Sequence, residues 1–198
     1  MSLPPDLPAL LGSRICHDLI SPLGAIGNGV ELLTLTGGAP GAELALVSES
    51  VAAAAARVRF FRVAFGSAAP DQRMGQPEIA ALIADATRGG RLRVQWQAQG
   101  DLPRREVKLA FLMIQCAEWA LAWGGTVEVG PAAGGWRLAA RAPRLKSEPG
   151  LWAGLAAAAP LPELTPAQVQ FALARDEAAR QARRVTAEAG ETAITLGW

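Results

Sequence analysis

Apolar positions near the start of the chain recur at helical spacing. At roughly 100° per residue, Ile15, Leu19, Pro22, Ile26, Val30 and Leu33 fall on one side and form a single stripe. Farther on, Leu44, Val47, Val51, Ala54, Val58, Phe61 and Phe65 recur in alternating steps of three and four, a heptad seam. The turn-like run Thr36-Gly37-Gly38-Ala39-Pro40-Gly41 separates the two patterns. Two long helices with matching seams predict an antiparallel hairpin. A hairpin alone buries one side of each helix, so pairing of two chains into a four-helix bundle is its natural completion. Docking of the hairpin on the chain's own second half is the alternative.

The first helix violates propensity in its middle. Pro22 removes the bond its nitrogen would give to the Asp18 carbonyl, and Gly24, Gly27 and Gly29 follow. Each Gly costs about 1 kcal/mol against Ala and the Pro about 3 kcal/mol, so the helix requires packing partners. The glycines run G-x-x-G-x-G, the reverse of the dinucleotide fingerprint, and no strand pattern precedes them. A kinked helix with its bend at Pro22 is therefore expected, rather than a phosphate-cradling loop.

Beyond residue 66 the pattern changes. Gly66-Ser67-Ala68-Ala69-Pro70-Asp71 through Gly75-Gln76-Pro77 is rich in breakers and reads as a linker or loop. It divides the chain into a helical unit over 1–70 and a second unit over 76–198. All six tryptophans lie in the second. Glu78 to Thr87 suits a helix and Leu92 to Trp96 alternates like a strand. Val107 to Trp123 suits a buried helix, while Thr126 to Val129 and Trp136 to Arg141 suit a hairpin. Thr165 followed by Pro166 opens a helix to about Arg183, and Val185 to Ala189 with Thr192 to Leu196 closes the chain as another hairpin. The fold class is α+β.

Composition narrows the function. The chain is 51% hydrophobic and 19% charged with a net charge of +1, ordinary for a folded globule. No signal-peptide pattern and no 18-residue apolar span is present, so a cytoplasmic protein without a membrane segment is expected. No Lys/Arg stripe with interleaved aromatics suggests nucleic acid. Arg57, Arg59 and Arg62 cluster, but at different helical angles, and read as a solvated face. Cys16 and Cys116 have no metal-ligand spacing and read as reduced thiols.

His17 is the only histidine. It lies opposite the apolar stripe, among Ser13, Arg14, Ser21, Gly24, Asn28 and Glu31, so its imidazole should stand in water. A core histidine would sit within the stripe.

His17-Asp18-Leu19-Ile20-Ser21-Pro22, followed by Leu-Gly-Ala-Ile-Gly-Asn-Gly-Val-Glu-Leu-Leu, resembles the phosphoacceptor helix of ChpT-type histidine phosphotransferases of alphaproteobacteria. More distantly it is similar to the phosphotransfer helices of sensor histidine kinases. The likeness continues through 112–121, Gly124 to Val129 and Leu164 to Gln170. The resemblance implies a homodimer in which His17 takes phosphate from the receiver domain of a hybrid histidine kinase and passes it to response-regulator receivers. Asp18 would orient the imidazole, its alternative being a solvated helix carboxylate. Arg14, Ser21, Gly24 and Asn28 would form the receiver-docking face, although Arg14 also reads as a plain surface arginine.

The second unit resembles the ATP-binding sandwich of sensor kinases in degenerate form. Such a domain needs an Asn on its long helix to hold magnesium and a D-x-G-x-G turn to read adenine. The helix over 107–123 contains no Asn, and 142–150 contains no Asp. A phosphotransferase without its own cofactor is therefore expected, magnesium coming from the partner receiver. An ATP-dependent histidine kinase and a non-catalytic dimeric scaffold or kinase inhibitor are the alternatives.

Overall fold

The computed structural model describes residues 6–35 and 41–198, so the predicted turn over 36–41 lies outside the described residues but for Gly41. Helix α1 (Leu7–Leu35) opens on Asp6, whose carboxylate accepts the Ala9 amide at 3.1 Å and caps the first turn. Pro22 lies inside α1, and the helix continues past it. Helix α2 (Ala42–Ala64) returns alongside. Gly29 near the end of α1 faces Val47 near the start of α2, while Leu7, Pro8 and Leu11 share a cavity of about 350 Å³ with Ala64 and Phe65. The two helices are thus antiparallel.

The seams are split in a way periodicity does not specify. Val47, Ala54, Phe61 and Phe65 turn inward, but Leu44, Val51 and Val58 remain 48%, 49% and 49% exposed. On α1 the stripe is half-buried except for Val30, and Ile20 and Leu23 beside it are 67% and 58% exposed. The physical reason is that α2 has three faces in use. One meets α1, a second meets the rest of the chain, and the third carries apolar side chains that none of the described residues covers.

The hairpin does dock on its own second half. Phe60, Phe61, Val63 and Ala64 join the core formed by the later helices and sheet, and Leu7, Leu10 and Ile15 pack against it. Arg57 and Arg59, read from sequence as solvated, instead tie α2 to that half through Glu118 at 3.3 Å and Asp85 at 3.2 Å.

The second half is a two-layer α/β sandwich. Its elements are β1 (Arg73–Gly75), α3 (Gln76–Thr87), β2 (Leu92–Trp96), β3 (Asp101–Pro103), α4 (Arg104–Ala120), β4 (Gly125–Ala132), β5 (Gly135–Arg141), α5 (Pro149–Leu155), a 3-10 turn (Pro166–Gln168), α6 (Val169–Arg180), β6 (Thr186–Ala189) and β7 (Ala193–Gly197). Strand order in the main sheet is β2-β4-β5-β7-β6, with β2 and β4 parallel and the other pairs antiparallel. Alternation places Val127, Val129, Trp136, Leu138, Ala140, Ile194 and Leu196 in the core, while Thr126, Glu128, Arg137 and Arg141 face solvent. Helix α4 is buried on nearly every side.

Several expectations are corrected. The stretch read as a linker holds β1, which pairs antiparallel with β3. Helix α4 starts one turn earlier than Val107, at its cap Pro103, and ends before Trp123, at Ala120, with Leu121 as its C-cap donating to the Ala117 carbonyl. The helix expected from Thr165 to Arg183 is a 3-10 turn continued by α6, ending at Arg180. Helix α5 was not anticipated.

Candidate functional site

The His17 side chain is 86% exposed, whereas those of Asp18 and Arg14 are 13% and 14% exposed. Successive helix positions differ by roughly 100°, so His17 faces solvent while Asp18 turns toward the sandwich. The His17 Nδ1 lies 3.2 Å from Asp18 Oδ1. Arg14 Nε donates to the other carboxylate oxygen, Oδ2, at 2.9 Å, and Arg14 Nη1 donates to the Ala167 carbonyl at 3.1 Å. Ala167 sits in the 3-10 turn, which is held in turn by side chains. Gln168 Oε1 accepts from the Thr165 amide at 3.0 Å and hydroxyl at 2.9 Å, and Gln168 Nε2 donates to Glu148 at 2.7 Å.

The predicted residues separate into two groups. Ser21, Gly24 and Asn28 are exposed on the same side as His17, and a Cβ at Gly24 would meet nothing within 4 Å. That side is open enough for another backbone to approach. Pro22 is half-buried within α1. Arg14 does not join the open side: its guanidinium is engaged by Asp18 and the Ala167 carbonyl. Sequence reading identified the Thr165-Pro166 start signal but not the anchoring role of Ala167. A backbone carbonyl 153 positions away leaves no local signal for that role.

On the sandwich, Gln115 of α4 is 1% exposed and Glu118 is paired with Arg57. The end of α4 is covered by the segment that follows β5. Lys146 N donates to the Ala120 carbonyl at 2.8 Å, the Lys146 ammonium lies 4.6 Å from the Trp119 ring, and Arg144 stacks 4.1 Å over Trp123. Trp119 and Trp152 both meet Phe171 edge-on, at 5.6 Å and 5.0 Å, so aromatic rings fill the junction of α4, α5 and α6. Burial pushes the Cys116 thiol well above its ordinary value of 9.0. Desolvation, reinforced by Arg62 and opposed by Glu78, lowers the pKa of Arg104. Among the described residues, no group of three or more His, Cys, Asp or Glu is placed to hold a metal ion. Among the same residues no helix is long and apolar enough to cross a membrane.

An outward imidazole on a two-helix stem, steadied by its neighbouring carboxylate and backed by an α/β sandwich, places the chain among histidine-bearing stem proteins. Residues 76–193 match the family model of the histidine phosphotransferase C-terminal domain, and the chain belongs to that family. Over 126 residues it is 40% identical to protein phosphotransferase ChpT of Brucella abortus (strain 2308), a match spanning 63% of this chain and 60% of that protein's length. It is also similar to the solved structure of a bacterial phosphotransferase, with a TM-score of 0.77 and 30% identity over 99% of this chain and 97% of that one.

Proposed function

We propose that this chain is a histidine phosphotransferase of a phosphorelay, with His17 as the phosphoryl carrier. The donor is an aspartyl-phosphate on the receiver domain of a hybrid histidine kinase, and the acceptors are response-regulator aspartates. One observation carries the reading: a solvent-facing imidazole whose Nδ1 lies against a half-buried, anchored carboxylate.

A carboxylate only accepts hydrogen bonds, so the ring nitrogen facing Asp18 carries the proton. Nε2 is then left with its lone pair pointing to solvent, as a nucleophile. In the first step Nε2 attacks phosphorus, an N–P bond forms, and the acyl P–O bond breaks with release of the donor aspartate as carboxylate. The ring carries a positive charge while phosphorylated, which the Asp18 carboxylate offsets. In the second step the acceptor carboxylate attacks phosphorus, the N–P bond breaks and neutral imidazole returns. No proton need leave the ring in either direction. A receiver's acidic pocket would hold the magnesium ion, which would supply charge screening of the phosphoryl oxygens. Ser21, Gly24 and Asn28 form the face on which the receiver rests.

Two copies complete the stem. Leu44, Val51 and Val58 of α2 with Ile20, Leu23 and Val30 of α1 form an apolar face that a second copy covers as a four-helix bundle. The division into a phosphotransfer unit over 1–70 and a sandwich over 76–198 assigns chemistry to the first and support to the second. A cytoplasmic location suits chemistry with receiver domains.

An ATP-dependent kinase is disfavoured by the residues themselves. Helix α4 carries no Asn to bind magnesium, its one side-chain amide, Gln115, is buried, and rings of Trp119, Trp152 and Phe171 occupy the helix junction. Incubation with labelled ATP should leave the pure protein unlabelled, whereas a receiver phosphorylated with acetyl phosphate should label it. Acid-labile labelling from ATP alone contradicts this reading. Failure of every phosphorylated receiver to label the wild type would favour the scaffold.

A further inference from the structure

We infer that Arg14 is a positioning residue, through which the sandwich sets the orientation and tautomer of the His17 imidazole. The inference rests on the phosphotransfer reading and adds a part for the second half of the chain. A continuous run of contacts leads from Glu148 through Gln168 and the 3-10 turn to the Ala167 carbonyl, then through Arg14 and Asp18 to His17 Nδ1.

Helix geometry alone does not hold this arrangement. A basic residue four positions before an acidic one is the weaker order for a helical pair, and adjacent side chains such as Asp18 and His17 do not naturally face each other. The Asp18 carboxylate is also 13% exposed, so it needs a partner there. Arg14 supplies that partner, and its planar fork serves two acceptors at once because Nη1 is engaged by Ala167. Gln170 Nε2 donates to the same carbonyl at 2.8 Å, which fixes the carbonyl's direction. With Oδ2 held by Arg14, Oδ1 is presented to the imidazole and selects the Nδ1-protonated ring. Without that carboxylate nothing favours the Nδ1-protonated form over the Nε2-protonated one. Arg14 therefore acts on the reaction through Asp18 and does not touch the phosphoryl group.

The chain's single histidine makes the test direct, since the nitrogen-15 spectrum contains one imidazole. The wild type should show the Nδ1-protonated tautomer. Arg14→Ala should move the population toward the Nε2-protonated form. It should also slow phosphate uptake at saturating phosphorylated receiver by roughly ten- to a hundredfold, the loss seen when the partner that orients a metal-bound histidine is removed. The receiver concentration giving half the maximal rate should not change. Gln168→Ala, which loosens the turn while leaving every residue of α1 in place, should shift the tautomer the same way. Arg14→Lys, keeping charge but not the fork, should recover only part of the rate. Circular dichroism confirms that each variant is folded, and should Gln168→Ala unfold, the two Arg14 variants decide. An unchanged tautomer and saturating rate in Arg14→Ala overturns the inference. So does a change in half-saturating receiver concentration alone, which makes Arg14 a docking residue, or a silent Gln168→Ala in a folded protein. If no receiver phosphorylates the wild type, the phosphotransfer reading fails, while the tautomer spectra still decide whether Arg14 positions the ring.

Discussion

Gly29 of α1 and Val47 of α2 meet where there is no room for a side chain: a Cβ at 29 would lie 2.5 Å from Val47 Cγ2 and 3.5 Å from the Glu43 carbonyl. Val is stiff at χ1 in a helix, so it cannot swing aside cheaply. Overpacking of this kind costs about 1–3 kcal/mol, against about 1 kcal/mol gained by Ala over Gly in a helix. Gly29→Ala therefore carries a net loss of about 0–2 kcal/mol, centred on about 1 kcal/mol, and should lower the thermal midpoint by about 2–4 °C at that centre and about 8 °C at most. Combined with Val47→Ala it should be less harmful than the sum of the single losses, as a double-mutant cycle reads out.

Gly24 and Gly27 show the opposite case, since a Cβ at either meets nothing within 4 Å. The exposed valines and leucines of the stem extend the contrast. Val51→Glu places a carboxylate in the middle of the uncovered face of α2. Sedimentation of the wild type should give two copies per particle, and the variant one, with unchanged helical content. A wild type that sediments as a single chain at tens of micromolar would remove the bundle from the account.

Arg104 is 5% exposed and donates to the Arg62 carbonyl at 2.7 Å and the Val63 carbonyl at 3.0 Å. These belong to the last turn of α2, whose carbonyls have no partner within the helix. Arg104→Met fills similar space but strands both acceptors, a loss of about 2–3 kcal/mol. Differential scanning calorimetry should find the midpoint lowered by roughly 4–12 °C.

Much of this architecture is legible in the amino-acid order, for physical reasons that also mark where legibility ends. The heptad steps from Leu44 to Phe65 establish a helix that packs, and Leu92 to Trp96 alternates as the strand β2 does. Periodicity marks which residues are apolar, not which neighbour covers them, so the exposure of Leu44, Val51 and Val58 appears only in three dimensions. Strands β1 and β3 are three residues each and owe their existence to one another. Helix α5 begins with Pro149 and Gly150 and forms because Leu151, Trp152 and Leu155 are buried against the core. His17 was readable because it lies opposite an apolar stripe. Arg14 was readable only as a docking or plain surface arginine, since its anchor, the Ala167 carbonyl, lies 153 positions along the chain.

Cys116 gives the stability a defined response to alkali. Its folded pKa is raised well above 9.0 by burial, so below about pH 9 the thiol is neutral in both folded and unfolded chains. Above that, the unfolded chain loses the proton and the folded one keeps it, so stability falls as pH rises, by at most about 1.4 kcal/mol per pH unit. Denaturant unfolding at pH 8 and pH 10 should show a smaller loss in Cys116→Ala than in the wild type. Equal losses would mean that this thiol is not the source. Cys16, which is exposed, should react with iodoacetamide in the folded protein while Cys116 does not.

Phosphate transfer through one imidazole is tested most directly by a two-receiver chase. A labelled, phosphorylated receiver is mixed with the wild type or His17→Ala, and a second, unlabelled receiver is then added. With the wild type, label should pass to the protein in an acid-labile, alkali-stable form and then to the second receiver, while His17→Ala should hold no label and relay none. Label that reaches the second receiver equally well through His17→Ala would contradict the account.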